Sequence, residues 1–209
     1  MLERIYDEAF FSEWGRSNPD YVATARLIAE AVHAQFAPRT LADLGCGCGV
    51  YSHHFSSLGV AVTAVDGVIP PPEHSFPVEI LVRDLERPCP HSGEPYDLTL
   101  CLEVAEHIPE ENLDIFLANV CSYGGLLLLS AAPPRQGGRH HVNEQPKRYW
   151  AARLERHGFY YNRAETGVLV ERCKAQRPRY SWMWSQIGVY RRLAAPPPAY
   201  ARPFHSVPG

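Results

Sequence analysis

The sequence predicts an α/β fold: a doubly wound, mainly parallel, seven-stranded sheet in a single domain. Three observations carry this expectation. Short apolar runs alternate with segments of helical period from about residue 19 to residue 192, the pattern of strands joined by helices. The first apolar run turns through alternating glycines into a helix, at Thr40-Leu41-Ala42-Asp43-Leu44-Gly45-Cys46-Gly47-Cys48-Gly49-Val50-Tyr51. Acidic residues recur where the apolar runs end, which is the end of such a sheet where ligands sit.

The elements follow in order. Tyr6 to Tyr21 is rich in aromatics, with Phe10, Phe11 and Trp14 between them. It reads either as a short helix packed on the domain or as a lid that closes out water. Asn18-Pro19 is a helix start. Val22, Ala25, Leu27, Ile28, Ala31, Val32 and Phe36 then keep helical spacing as far as Pro38. Strand one ends in the glycine loop, and a helix runs from about Tyr51 to Leu58. Strand two is Val60 to Val65. Pro70, Pro71 and Pro72 follow it and forbid a regular helix, so the usual crossover helix is short or missing. Strand three is Val78 to Arg83 and strand four Tyr96 to Leu102. A turn over Glu103 to Pro109 leads to a helix from Glu110 to Val120. Strand five is the run Leu126 to Leu129. After a loop from Ser130 to Asn143, a helix from Pro146 to His157 ends at Gly158, a C-cap residue. Strand six is Phe159 to Asn162. A helix near Glu165 to Cys173 and a strand near Ile187 to Arg192 complete the sheet. The expected division is an N-terminal helical segment over 1–36, a ligand-binding domain over 37–193 and a proline-rich mobile tail over 194–209.

Which ligand the glycine loop holds can be narrowed. Glycine lets a ligand approach the backbone closely, and the helix start beyond it offers free N–H groups. The dinucleotide fingerprint needs a third small residue that neither Val50 nor Ser52 supplies. An acid, Asp43, stands two positions before the first glycine. It would repel a pyrophosphate and suits a cationic ligand bearing an amino acid. A second acid, Asp66, ends strand two, where a carboxylate can grip a ribose diol. These residues resemble motif I and the following acidic loop of class I S-adenosylmethionine-dependent methyltransferases. The resemblance extends over nearly all of residues 18 to 192, with Asp97 and Leu102-Glu103-Val104 matching a looser second motif, and it implies a Rossmann-like sheet. It also implies a cofactor-binding set of Asp43, Gly45, Cys46, Gly47, Gly49, Asp66, Asp84, Leu85 and Leu102. Within that set the glycines would hold the methionine part, Asp66 the ribose hydroxyls and Asp84 with Leu85 the adenine, while Asp43 orients the methionine amino group.

Composition excludes other classes. The chain has 209 residues, 45% hydrophobic and 21% charged, with a formal net charge of −3. No global basic field points to nucleic acid. No apolar run approaches the ~20 residues of a membrane span, and Met1-Leu2-Glu3-Arg4 is not the start of a secretory signal. Six cysteines without framework spacing indicate a reducing, cytoplasmic compartment.

Two features could carry catalysis. Glu103-x-x-Glu106-His107 resembles the E-x-x-E-H element of ubiquinone-type O-methyltransferases and of small-RNA 2′-O-methyltransferases, in which the carboxylates and the His help bind magnesium. The metal-free reading is preferred for this chain, because a similar element recurs in resembling enzymes that need no metal and the sequence shows no third hard ligand nearby. The second feature is Arg139-His140-His141-Val142-Asn143-Glu144-Gln145-Pro146. A His there could take a proton from an acceptor, so His141 and His107 are the candidate catalytic residues. Asn143 is the expected N-cap of the helix begun at Pro146. Arg172, Lys174, Arg177 and Arg179 with Tyr180, Trp182 and Trp184 read as a solvated face whose aromatics close the sheet's edge. The expected activity is S-adenosylmethionine-dependent methyl transfer to a small-molecule acceptor, at oxygen. The rivals are aminocarboxypropyl transfer or cyclisation on the same cofactor, and a cofactor-binding module without turnover.

Overall fold

The computed structural model describes residues 6–194. The proline-rich segment expected over 194–209 lies outside the described residues except for Ala194. Seven strands form one sheet in the order β3-β2-β1-β4-β5-β7-β6. They are β1 (Thr40–Leu44), β2 (Ala61–Asp66), β3 (Ile80–Val82), β4 (Leu98–Leu102), β5 (Leu126–Ser130), β6 (Phe159–Tyr161) and β7 (Gly188–Arg192). β1 to β5 pair in parallel, and β7 runs antiparallel to both β5 and β6.

The helices are α1 (Glu8–Glu13), α2 (Pro19–Phe36), α3 (Val50–Ser57), α4 (Leu113–Cys121), α5 (Lys147–Glu155), α6 (Arg163–Ala175) and α7 (Trp182–Ser185). Two hydrophobic clusters lie on opposite faces of the sheet. On one, Ile28 and Val32 of α2, Phe55 of α3, Leu169 of α6 and Met183 of α7 pack on Leu41, Leu100 and Leu128. On the other, Phe116 and Leu117 of α4 and Trp150 and Leu154 of α5 pack on Leu44, Cys101 and Leu127. A strand covered on both faces needs apolar residues at every position, which is why β5 reads Leu-Leu-Leu-Leu and is buried throughout.

The caps locate the helix starts. The Asn18 side chain accepts from the Tyr21 N–H at the head of α2, with Pro19 in its first turn. Asn162 does the same for α6 through the Glu165 N–H. Asn143 does not cap α5. Pro146 occupies that position, while the Asn143 side chain donates to the Ile108 carbonyl and accepts from Gln145 Nε2. The prolines after β2 leave no helix between β2 and β3, and β3 is shorter than the apolar run that marks it.

The β1–α3 turn is constrained by packing. Gly49 lies at φ +70°, and a Cβ added there would stand 2.3 Å from a Val78 methyl. Gly49→Ala should therefore cost roughly 2–3 kcal/mol in urea unfolding, from backbone strain and overpacking. An unchanged midpoint would show that the turn tolerates a side chain.

Candidate active site

One cavity of about 460 Å³ opens at the carboxyl ends of β1, β2, β3 and β4. Its floor is the glycine loop. The Gly45 and Cys46 N–H groups both donate to the Val65 carbonyl, tying the loop to the end of β2. Asp66 completes the tie: its carboxylate accepts from the Gly47 N–H at 2.8 Å and the Val68 N–H at 3.1 Å. A Cβ at Gly47 would enter open space, whereas one at Gly45 would strike Val104.

The structure gathers most of the expected site residues. Asp43, Gly45, Cys46, Gly47, Asp66, Asp84, Leu85, Leu102, His107 and His141 all line the cavity. Gly49 does not; it starts α3 and packs on Val78. Asp84 closes its own turn, accepting from the Glu86 N–H and from Arg87 Nε.

Six carboxyl groups line the cavity, from Asp43, Asp66, Asp84, Glu86, Glu103 and Glu106, against one guanidinium, from Arg139. Asp43 is buried and accepts a 2.6 Å hydrogen bond from Ser52 Oγ. Burial pushes its carboxyl up to about 6, against the lowering effect of Ser52. Glu103 adopts φ +56° at the end of β4, and its carboxylate accepts from Ser130 Oγ at 2.7 Å. Glu106 is fully buried and both its carboxylate oxygens lack a partner. Burial raises both glutamic acids, and for Glu106 the neighbouring Glu103 raises it further.

The imidazoles stand beside this pair. The Glu106 carbonyl accepts from the N–H groups of both Val142 and Asn143. That contact brings the loop after β5 against the 3-10 turn Ala105–His107. The rings of His107 and His141 meet edge-on with centroids 5.0 Å apart. His141 Nδ1 lies 3.0 Å from Glu144 Oε1, and the same carboxylate holds the Arg135 and Gly137 N–H groups. When Nδ1 donates to Glu144, Nε2 is left with a free lone pair. His107 Nδ1 is buried without a partner. Burial, aided by His141, lowers the His107 imidazole to about 4, so it is neutral at pH 7.

Glu106, His107 and His141 each offer a ligand atom within 4.8 Å of the others. Orphaned donor atoms on two of these residues, with a third oriented from behind by Glu144, fit a divalent cation. The third member of this group is a nitrogen donor, not the hard oxygen ligand whose absence favours the metal-free reading. His141 stands 34 positions beyond His107, which makes the grouping invisible as a spacing motif.

The far wall is aromatic. Tyr6, Phe10, Phe11 and Trp14, on and beside α1, line the cavity with Tyr21, Trp182 and Met183. The Trp14 and Trp182 rings meet edge-on at 5.5 Å, and Tyr6 lies edge-on to His107 at 6.0 Å. Trp182 therefore belongs to the site and not to the sheet's edge, which the local sequence did not reveal. Ser130 and Ser52 were also missed. The polar residue that ends the leucine run of β5 was the available signal for Ser130.

A family model described as a methyltransferase domain matches residues 17–173. The chain belongs to this methyltransferase family. Among curated relatives, the ubiquinone biosynthesis O-methyltransferase of Glaesserella parasuis is 30% identical over 116 residues, 49% of each chain. That of Paraburkholderia phytofirmans is 30% identical over 86 residues, 37% of each chain. The chain thus spans about half the length, or less, of the curated relatives it matches. Among solved structures, a methyltransferase of Archaeoglobus fulgidus aligns with TM-score 0.59 at 14% identity, over 90% of this chain and 100% of that one. The Burkholderia thailandensis 1,6-didemethyltoxoflavin-N1-methyltransferase aligns with TM-score 0.57 at 20% identity, over 88% and 86%. These likenesses establish the fold.

The buried Asp43 gives a pH test of the methyltransferase site. Its folded value near 6 lies above the ordinary aspartate value. Between about pH 4 and pH 6 the native state keeps a proton that the unfolded chain has released, so this group makes stability fall as pH rises, then level off. Asp43→Asn removes the effect. Relative to wild type, the variant should gain up to about 3 kcal/mol across that window in urea unfolding. A constant difference would mean that Asp43 is ionised throughout.

Proposed function

We propose that this protein transfers the methyl group of S-adenosylmethionine to a hydroxyl of a small acceptor, releasing S-adenosylhomocysteine. The observation that carries the reading is the convergence on one cavity of two unlike walls. The glycine loop, Asp66 and Asp84-Leu85 form one, and the His107–His141 pair with the aromatic side chains forms the other. The six carboxyl groups favour a cationic sulfonium ligand. Asp43 faces the methionine amino group, Asp66 the ribose diol, and Asp84 with Leu85 the adenine. The aromatic wall excludes water and holds an apolar acceptor, and the segment bearing α1 serves as the lid.

In the transfer the S–CH₃ bond breaks, its electron pair stays on sulfur, and the acceptor oxygen forms the new bond and loses its proton. The step needs in-line alignment above all. His107 is neutral at pH 7 and His141 presents Nε2 when Glu144 holds its Nδ1, so either imidazole can take the proton. A divalent cation held by Glu106, His107 and His141 would lower the pKa of the acceptor hydroxyl. Reaction at oxygen agrees with the names of the ubiquinone-pathway relatives and with a site built around proton acceptors. Enclosure by aromatic side chains favours a small acceptor over nucleic acid.

Cofactor binding is tested by calorimetry. Asp66→Ala should weaken S-adenosylmethionine and S-adenosylhomocysteine alike by about 2 kcal/mol, because the ribose contact is common to both. It should also lower stability, since the Gly47 and Val68 N–H groups lose their acceptor. A loss confined to one ligand would move Asp66 away from the ribose. Detection of methylthioadenosine as the product would replace methyl transfer with aminocarboxypropyl transfer or cyclisation.

The histidines are tested separately. Chelator-treated protein titrated with Mn²⁺ or Mg²⁺ should bind one ion, and His141→Ala should weaken it at least ~10-fold with S-adenosylhomocysteine affinity kept. If no ion binds and chelation leaves turnover intact, the imidazoles act alone, and His107→Ala or His141→Ala should each lower kcat by ~10²-fold. Full turnover in both variants and after chelation would leave positioning as the whole of catalysis.

A further inference from the structure

The outer edge of the sheet at β3 takes no part in the proposed chemistry, and its sequence is self-complementary. β3 has one strand neighbour, β2, in the register Ala64↔Ile80, Val65↔Leu81 and Asp66↔Val82. The Arg83 N–H donates to the Asp66 carbonyl, so Leu81 and Arg83 turn their backbone groups towards β2. Backbone direction alternates along a strand, and the N–H and C=O groups of Ile80 and Val82 therefore point away from the sheet. The Val82 carbonyl takes a hydrogen bond only from the adjacent Arg83 Nη1, at 2.9 Å, among the bonds of the described residues.

The prolines that remove the crossover helix leave this edge uncovered. Leu81 is 40% and Val82 47% exposed, high for apolar residues on a sheet. Glu79 and Arg83 flank them, both exposed and neither in an ion pair among the described residues. Exposed edges are ordinarily protected by charges that repel a second strand. Here the two charges are of opposite sign and sit at equal distances on either side of Leu81.

We propose that β3 pairs antiparallel with β3 of a second copy of this chain, across a two-fold axis at Leu81, joining the two sheets into one. In this register Ile80 faces Val82 of the partner copy twice, as the hydrogen-bonded pair of an antiparallel ladder, which uses the outward backbone groups. Leu81 meets its own copy, and Glu79 faces Arg83 at both ends, within reach as cross-strand charge pairs. Moving the axis to Ile80 or to Val82 would separate every acid from its base. Pro77 cannot donate a ladder hydrogen bond and limits the pairing to residues 79–83 of each copy. So short an interface is small, and its affinity is micromolar or weaker.

Sedimentation of the full chain over about three decades of concentration, to ~1 mM, tests the pairing, with circular dichroism checking that each variant is folded. Wild type should pass from the mass of one chain to twice that mass. Glu79→Arg and Arg83→Glu should each remain monomeric, because like charges then face each other. Mixing the two variants should restore the dimer, as should combining both substitutions in one chain. Amide exchange in wild type should show protection of Ile80 and Val82 that grows with concentration. The proposal is overturned by a wild type monomeric throughout, by a dimer that both single variants retain, or by single-variant losses that mixing does not reverse.

Discussion

The Asp66 carboxylate accepts from the Gly47 and Val68 N–H groups at the end of β2, and the shape of the cavity follows from that contact. Asp66 is the last residue of β2 and the glycine loop is the first turn after β1. The parallel register of the two strands sets their ends side by side. A loop with glycine at every second position has few side chains to hold it in place. The carboxylate supplies one tie, and the Val65 carbonyl supplies a second by accepting from Gly45 and Cys46. Each carboxylate oxygen has a further lone pair, so Asp66 can hold the loop and still accept from a ligand hydroxyl.

Electrostatics set the character of the cavity once its floor is fixed. Six carboxyl groups against one guanidinium make a site that attracts cations. Burial offsets part of that charge by raising Asp43, Glu103 and Glu106. The guanidinium, from Arg139, pairs with Asp7 at 3.0 Å where both side chains are about half exposed. Such a pair is worth little in stability, and it joins the aromatic α1 segment to the loop after β5. The resulting arrangement is an acidic floor facing an aromatic wall that Phe11 anchors in the core.

Backbone contacts, not proximity in sequence, build the histidine pair. The Glu106 carbonyl receives two N–H groups from the loop after β5, and Glu144 then turns His141 toward His107. A Cβ at Gly138 would lie 2.3 Å from His141 Nε2, so a side chain there would displace the ring. The strained φ of Glu103 lies at the same junction, where β4 leaves the sheet and Glu106 is buried.

The sequence by itself determined the alternation of strands and helices, the glycine loop and the acids at the strand ends. Those features are local: hydrophobic period, turn chemistry and capping act over a few residues. Asn18 and Asn162 were legible as caps because a cap needs only its own turn. Asn143 was misread because its partner is Ile108, 35 positions away. Tertiary structure alone decided that His141 joins Glu106 and His107, that Ser52 and Ser130 hold the buried acids, and that Trp182 closes the cavity. It also decided that Gly49 starts α3 against Val78, outside the lining of the cavity. Each of these depends on where the folded sheet brings distant segments together, and no spacing in the chain encodes that distance.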